Sequence, residues 1–145
     1  MTKIFKTEHA ETSKEISREA VWQLWSDVNH WPNWDVGLSA CKLEGPFAKN
    51  QTFFLTPQGN PEAIPVTLQE VIPLQSFADI TELPFGKLET FHRMEDTAQG
   101  LKVTHTITAT VDEAKADFFA KVIWSGMEKG VLQSVKNIVK LSTRQ

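Results

Sequence analysis

The most restrictive feature of this sequence is a change, at Val111, in the spacing of its apolar residues. From Leu101 to Val111 apolar and polar residues alternate, which is typical of a strand that buries one face. After Val111 the apolar residues recur with the helical period of about 3.6 residues, to about Leu141. Roughly thirty residues at about 1.5 Å each make a helix longer than a small domain needs, unless the helix crosses a whole sheet. The sequence therefore predicts a sheet crossed by one long C-terminal helix.

Shorter β-compatible runs, separated by turn residues, precede the alternating strand from Leu38 onward. With that strand they predict an antiparallel meander of about six strands. Another strand is expected over residues 4–12. Between the two regions, Ser17 is placed to cap a helix that runs to about Asp27, and Asn29 to cap one further turn. The predicted class is α+β: one strand, two short helices, about six strands and the long helix.

Length and composition narrow the class of protein. The chain has 145 residues, 41% hydrophobic and 23% charged, which is enough to build one domain over residues 1–145 without disulfides or a structural metal. The net charge of -3 and the absence of a basic run argue against nucleic acid as a partner. No stretch has the apolar length of a signal peptide or a membrane span, so we expect a cytoplasmic protein without stable membrane insertion. Cys41 is the single cysteine, which excludes CxxC sites, and we expect its thiol to be buried and inert.

One segment has the sequence AVWQLWSDVNHWPNWD, residues 20–35, and resembles the START-like, or SRPBCC, helix-grip superfamily, within it the polyketide cyclase/dehydrase-like branch. Residues 100–107 look like the penultimate element of that family, and residues 126–140 look like its closing helix. The resemblance implies a curved antiparallel sheet that grips the C-terminal helix, with a cavity between them. Asn50 occupies a turn position where related sequences usually have glycine, and Asn tolerates the left-handed conformation there. The resemblance specifies the fold more than the function, because this superfamily accommodates many ligands and a few enzymes.

Two histidines are the first candidates for chemistry. A hairpin closed over residues 96–100 places His92 directly opposite His105 in one register, whereas other registers keep the same face but separate the two. Directly opposed side chains have Cβ atoms about 5 Å apart, and two close imidazoles disfavour double protonation. We favour an interpretation in which both are hydrogen-bonded polar residues of a cavity wall. Recognition of a ligand and general acid/base catalysis are the alternatives.

Asp79 is the nearest carboxyl candidate beside these histidines. It faces the cavity in one phase of its strand and points away in the other, and the sequence pattern allows both. A zinc site would need a third ligand from Asp79 or Glu82, because His9 and His30 lie in other elements, so we expect no metal. The chain has no P-loop, GxGxxG, HExxH or GxSxG motif, so we expect no cofactor.

Four tryptophans, Trp22, Trp25, Trp31 and Trp34, lie close together in the sequence. Such a cluster suits ring stacking on a ligand, but Trp22 and Trp25 share a helix face, so we favour core packing. Trp34 is the best placed of the four to border a pocket.

Two glycines, Gly126 and Gly130, lie one turn apart in the predicted long helix. Each costs about 1 kcal/mol relative to Ala in mid-helix, so a compensating reason is expected. Either the helix approaches another backbone closely, or the missing side chains leave volume for a ligand. We favour the second, with Phe119, Ile123 and Met127 as walls.

These observations predict a protein that binds a hydrophobic or aromatic small molecule between the sheet and the C-terminal helix. The predicted ligand-binding residues are Trp34, Phe54, Leu88, Thr90, His92, Val103, His105, Phe119, Ile123, Gly126 and Met127.

Two alternatives remain open at this point. One is an enzyme of the cyclase, aromatase or dehydratase type, in which a cavity histidine moves a proton while the cavity orients the substrate. The other is a protein-interaction module with a filled pocket and an exposed apolar patch. The residues that could form such a patch are Phe5, Phe53, Phe91 and Trp124. The sequence specifies neither the identity of the ligand nor an oligomeric state.

Overall fold

Seven strands form one antiparallel sheet in the computed structural model, which describes residues 1–144. The strands are β1 (Thr2–Ser13), β2 (Leu38–Lys42), β3 (Thr52–Pro57), β4 (Ile64–Ile72), β5 (Ser76–Leu83), β6 (Gly86–Thr97) and β7 (Gly100–Asp112). Their order in the sheet is β1-β7-β6-β5-β4-β3-β2, so β2 to β7 form a meander and β1 pairs with the last strand. The α+β class is confirmed, as are the strand predicted over residues 4–12 and the meander after it.

Two short helices connect β1 to β2. They are α1 (Arg18–Ser26) and a 3₁₀ helix (Val28–Asn33). The Ser17 hydroxyl accepts a hydrogen bond of 3.2 Å from the backbone N–H of Ala20, so the predicted N-cap is confirmed. The cap predicted at Asn29 is wrong, because the 3₁₀ helix has already begun one residue earlier. The Asn29 side chain instead accepts a hydrogen bond from the backbone N–H of Leu43, beyond the end of β2.

The chain after β7 is a continuous series of helical turns with different geometries. They are a 3₁₀ turn (Glu113–Lys115), an α-helical turn (Ala116–Phe118), a π-helical segment (Phe119–Trp124) and an α-helix (Ser125–Ser142). We refer to residues 116–142 as the C-terminal helix. The predicted long helix is confirmed, whereas the π-helical segment departs from the regular period on which the prediction depended. Within residues 1–144 no helix is both long and apolar enough to cross a membrane.

The core is densest where α1 and the end of the C-terminal helix meet the sheet. Its fully buried side chains include Trp25, Trp34, Phe53, Leu68, Phe77 and Ile138. The half-buried Trp22 packs edge-on against Trp25, with 6.3 Å between ring centroids. The preference for core packing of the tryptophan cluster is therefore confirmed.

Strand register decides which side chains face the helix. His92 of β6 lies directly opposite His105 of β7, which is the register that pairs the two histidines. In β5, the side chains of Phe77, Asp79 and Thr81 are buried, whereas their neighbours in sequence are half-buried or exposed, Ser76 apart. The phase of β5 that turns Asp79 toward the helix is therefore the one that forms.

Two turns depend on backbone conformations with positive φ. Asn50, before β3, has a φ of 74°, as expected for a residue at a position that glycine usually occupies. Gly100 has a φ of 128°, and a Cβ there would collide with the backbone of Ser13. Glycine at this position therefore allows β1 to pair with the start of β7.

Candidate ligand-binding site

Two adjoining cavities lie between the sheet and the C-terminal helix. The first, the inner compartment, has a volume of about 270 Å³ and lies against β3 to β7. The second, the entrance compartment, has a volume of about 400 Å³ and is bounded by the C-terminal helix. The two compartments share the lining residues Asp35, Gly37, Leu38, His105, Ile107 and Met127. The cavity implied by the resemblance therefore exists, and its two parts adjoin through this common wall.

The wall of the inner compartment is mostly apolar. Its apolar side chains come from the 3₁₀ helix, from the strands and from the C-terminal helix. They are Trp31, Trp34, Leu38, Leu55, Pro57, Ile64, Leu83, Leu88, Ile107 and Met127. The polar groups are few, namely Asp35, Asp79, Thr81, Thr90, His92 and His105. A largely apolar wall with a few polar groups is typical of small-molecule sites.

The entrance compartment is open at the two helical glycines. Gly126 and Gly130 both line it, and a Cβ built on either would meet no atom within 4 Å. Close approach of another backbone, one of the two explanations for these glycines, is therefore wrong. The second explanation fits the structure, because the missing side chains leave volume beside Ile123 and Met127.

The segment between the 3₁₀ helix and β2 is held against the C-terminal helix. The side-chain amide of Asn137 donates a hydrogen bond of 3.0 Å to the backbone carbonyl of Trp34. The indole N–H of Trp31 donates one of 2.9 Å to the carbonyl of Trp25. These bonds position Trp34 in the wall of the inner compartment and the following Asp35 in the wall that both compartments share.

His92 and His105 stack face to face at the inner compartment. Their ring centroids are 3.9 Å apart with an angle of 26° between the ring planes, and His92 also stacks on Phe77 at 4.4 Å. Within residues 1–144 none of the four imidazole nitrogens has a hydrogen-bond partner. The favoured interpretation, in which both histidines are hydrogen-bonded, therefore fails for bonds to each other and to hydroxyl groups of the described residues, because cross-strand pairing brings the faces of the two rings together rather than their edges.

Burial keeps both imidazoles neutral. It lowers the pKa of His105 to about 3, with a further contribution from His9, and it lowers the pKa of His92 well below its ordinary value, with a contribution from His105. His9 of β1 lies directly opposite His105 of β7, because β1 is the edge strand that pairs with β7. Within the described residues these three histidines do not converge with other ligating side chains as a metal site.

Two carboxyl groups face the same compartment. Asp79 is 5% exposed, and its Oδ1 accepts a hydrogen bond of 2.5 Å from the Thr90 hydroxyl. Burial, together with a smaller contribution from the nearby Asp35, raises the pKa of Asp79 to about 7, although the hydrogen bond from Thr90 acts to lower it. Desolvation also raises the pKa of the half-buried Asp35 to about 6, although the backbone N–H of Gly37 donates a hydrogen bond to its carboxyl. Neither carboxyl has a Lys or Arg beside it in the described walls of the two compartments.

The structure places most of the predicted site residues in these walls. The inner compartment contains Trp34, Leu88, Thr90, His92, His105 and Met127, and the entrance compartment contains Ile123 and Gly126. Cys41, expected to be buried and inert, is only half-buried, and burial together with the two carboxyl groups raises the pKa of its thiol to about 12.

Three predicted site residues lie elsewhere. Phe54 is 49% exposed on the outer face of the sheet, because it and Phe53 are consecutive in β3 and only Phe53 turns inward. Val103 is buried in the closed core, two residues along β7 from His105 and toward α1. Phe119 packs on Phe5, with ring centroids 5.1 Å apart, in a separate aromatic cluster.

Several wall residues were missed by the sequence analysis. Leu55 and Ile64 belong to β3 and β4. The apolar patterns of these two strands are too short to indicate which of their residues face the helix. Asp35 follows Trp34 directly, and an acidic residue next to an aromatic cluster was the only signal for it. Thr81 lies on the same face of β5 as Asp79, because alternate residues of a strand share a face, so the phase of β5 also decides whether Thr81 faces the cavity.

Comparisons with known proteins identify the fold of this chain. No protein-family model matches the chain, and no curated protein matches it. Among solved structures, the di-domain ARO/CYC StfQ from the steffimycin biosynthetic pathway matches with a TM-score of 0.76 and 8% identity, over 96% of this chain and 50% of that one. The chain has the helix-grip fold. A truncated norcoclaurine synthase from Thalictrum flavum matches with a TM-score of 0.69 and 15% identity, over 97% of this chain and 93% of that one.

Other helix-grip proteins give the same result. A protein of unknown function, SA2116 from Staphylococcus aureus, matches with a TM-score of 0.72 and 10% identity, over 99% of this chain and 98% of that chain. The chain spans about half of the length of the di-domain protein StfQ. The START-like resemblance is thus confirmed for the fold, and at these identities the comparisons establish the fold alone.

Proposed function

We propose that this protein binds a hydrophobic or aromatic small molecule in the inner compartment, which the ligand reaches through the entrance compartment. The observation that carries the proposal is the open volume beside Gly126 and Gly130, which continues along a shared wall into a mostly apolar cavity. A cavity with such a wall and a few polar groups favours enclosure of an apolar ligand body with one oriented polar end.

The unpartnered nitrogens support a ligand with a polar group. A neutral imidazole has one donor and one acceptor nitrogen, and the buried nitrogens of His92 and His105 use neither within the protein. Leaving a buried polar atom without a partner costs about 1–3 kcal/mol. A ligand that bonds to these nitrogens recovers part of that cost, so we propose both histidines as recognition residues.

A structural neighbour supports an aromatic ligand. Norcoclaurine synthase from Thalictrum flavum, in complex with dopamine and hydroxybenzaldehyde, matches this chain with a TM-score of 0.68 and 13% identity. That protein holds two small aromatic molecules on the same fold. The aromatic wall residues Trp31 and Trp34 are suited to contact a ring of similar size.

The test is a titration with the neutral dye N-phenyl-1-naphthylamine, followed through dye emission and tryptophan fluorescence. The wild-type protein is expected to bind one dye molecule saturably. Gly126→Leu narrows the entrance, and Met127→Trp fills the junction of the two compartments, so each is expected to weaken binding at least tenfold while the chain stays folded. Lys129→Leu adds the same side chain at an exposed neighbouring position and is expected to bind normally.

Two results would refute the proposal. One is the absence of saturable dye binding to the wild-type protein. The other is undiminished binding to both blocked variants, which would locate the dye outside the cavity.

A second candidate function is acid/base catalysis, as in a cyclase, aromatase or dehydratase. The observation that favours it is Asp79, because a carboxyl with a pKa of about 7 is well matched to proton transfer at neutral pH. The histidines suit this role less well, because a pKa of about 3 makes His105 a weak base. We expect an enzyme of this kind to lose turnover of a linear poly-β-ketone thioester in Asp79→Asn and to retain it in His105→Phe.

The interaction-module alternative has little support. Its pocket would be filled by side chains, whereas the two compartments are open. The proposed patch does not form either, because Phe53 and Trp124 are buried and Phe5 and Phe91 are half-buried.

A further inference from the structure

The proposed function leaves the chemical class of the ligand open. Resting on that function, we propose that the ligand carries a positive charge, as a protonated amine beside an apolar body. The carboxyl groups of Asp35 and Asp79 would hold the ammonium group in the inner compartment. The indole faces of Trp31 and Trp34 would contact the remainder of the ligand.

The first argument is an imbalance of charge in the cavity wall. Asp35 and Asp79 both line the inner compartment, and within residues 1–144 no Lys or Arg lines either compartment. The other titratable groups near Asp79 are the thiol of Cys41 on β2 and the imidazoles on β6 and β7, which are neutral. The lining residues that the C-terminal helix contributes include no titratable side chain. Among the described residues, the walls of the two compartments therefore contain no counter-charge for this pair.

Two ionised carboxyl groups, one buried and one half-buried, are unfavourable without a cation, and the raised pKa values of both groups reflect that cost. A ligand cation removes the cost, because it lets both groups ionise beside an opposite charge. A neutral ligand leaves the carboxyls uncompensated, and an anionic ligand is repelled by them. Among these three ligand charges, only a positive one is complementary to the wall.

A second, independent observation also indicates a ligand in the same compartment. The nitrogens of His92, whose side chain is 5% exposed, have no hydrogen-bond partner among the described residues. The acceptor nitrogen of a neutral imidazole can receive a hydrogen bond from an ammonium group. Indole faces attract cations as well, with a stabilisation of about 0.5–2 kcal/mol.

The experiment compares three probes of similar shape by calorimetry at pH 8: 2-phenylethylamine, the neutral 2-phenylethanol and the anionic 3-phenylpropionate. The amine is expected to bind at least tenfold more tightly than the alcohol, and the anion most weakly. In Asp79→Asn and in Asp35→Asn the preference for the amine is expected to fall below threefold. Asn retains an oxygen that accepts the hydrogen bond from Thr90 or from the N–H of Gly37, so both variants are expected to fold.

Two controls sharpen the comparison. Asp117→Asn makes the same chemical change at an exposed carboxyl outside the cavity wall and is expected to retain the preference. Between pH 8 and pH 5 the amine itself stays protonated, whereas Asp35 and Asp79 gain protons. The affinity for the amine is therefore expected to fall over this range, while the affinity for the alcohol stays constant.

The outcomes separate this inference from the proposed function. If the alcohol or the anion binds as tightly as the amine while N-phenyl-1-naphthylamine binds in the cavity, the cationic ligand is refuted and the cavity function stands. Retention of the amine preference in both Asp→Asn variants would also refute it. If neither the dye nor any of the three probes binds, both proposals fail.

Discussion

The two halves of the C-terminal helix differ in how they meet the sheet. In the later half, Val135 and Ile138 are almost completely buried and line neither compartment. In the preceding half, Ile123 and Met127 are half-buried, and Gly126 and Gly130 contribute no side chain to the entrance compartment. The contrast teaches that one helix serves two purposes, since its closed half stabilises the fold and its open half bounds the proposed site.

The sheet also has one part that packs in the closed core and one part that lines the cavity, and His92 lies between these two parts. On one side it contacts the closed core, with ring centroids 4.4 Å from Phe77 and 5.6 Å from Trp25. On the other side it lines the inner compartment together with Thr90 and Leu88 of the same strand. The unpartnered nitrogens of His92 therefore belong to a residue that lies where the closed core ends and the cavity begins.

The largest expected effect is a difference in stability between two matched truncations on the helix. Ile138→Ala removes a side chain that is 2% exposed and is expected to lower the free energy of unfolding by about 2–5 kcal/mol. Ile123→Ala acts on a half-buried side chain beside open volume and is expected to cost about 1 kcal/mol or less. Urea denaturation measures both. Equal losses in the free energy of unfolding in the two variants would contradict the distinction between a closed and an open half of the helix.

The next effect depends on pH and tests the electrostatics of the open region. Asp79 has a pKa of about 7 in the folded chain against an ordinary value of 3.8, so the folded state keeps a proton that the unfolded state loses. Its contribution to stability is therefore complete below about pH 4 and is lost as the pH rises to about 7.

Asp79→Asn is expected to remove the fall in the free energy of unfolding between pH 4 and pH 7. The variant should nearly match the wild-type protein at pH 4 and exceed its free energy of unfolding by about 4 kcal/mol at pH 8. Chemical denaturation across this pH range is the measurement, with the exposed Asp117→Asn as the control that shows no such trend. A variant less stable than the wild type at pH 8 would mean that the ionised carboxyl is already compensated within the protein.

The smallest effect concerns the glycines of the open half. Gly126→Ala and Gly130→Ala each add a methyl group that meets no atom within 4 Å, so each is expected to stabilise the chain by about 0.5–1 kcal/mol through helix propensity. Thermal unfolding monitored by circular dichroism detects this gain. Destabilisation by either substitution would show that the glycines serve close packing after all.

The sequence predicted the parts of the fold that have a strong period or a complete pattern. The alternation before Val111 and the helical period after it predicted the last strand and the long helix, and the hairpin register that pairs His92 with His105 was among those it allowed. These features are local or depend on one turn, so a single sequence contains the information for them.

The remaining features depend on contacts between distant segments. The phase of β5 depends on its neighbours in the sheet, and the inward turn of Phe53 rather than Phe54 has no local signal. Asp35 reaches the cavity through a loop that Asn137 holds from the other end of the chain. The partner of His105 in β1, His9, follows from the pairing of the first strand with the last, which no local pattern predicts.

The most direct test of the central claim is a crystal structure of the protein with N-phenyl-1-naphthylamine bound. We predict density for the dye between the sheet and the C-terminal helix, in contact with Met127, His105 and Trp34, with no change in the path of the strands. Density confined to the outer surface, for example beside the exposed Phe54 or Val36, with both compartments empty, would contradict the account.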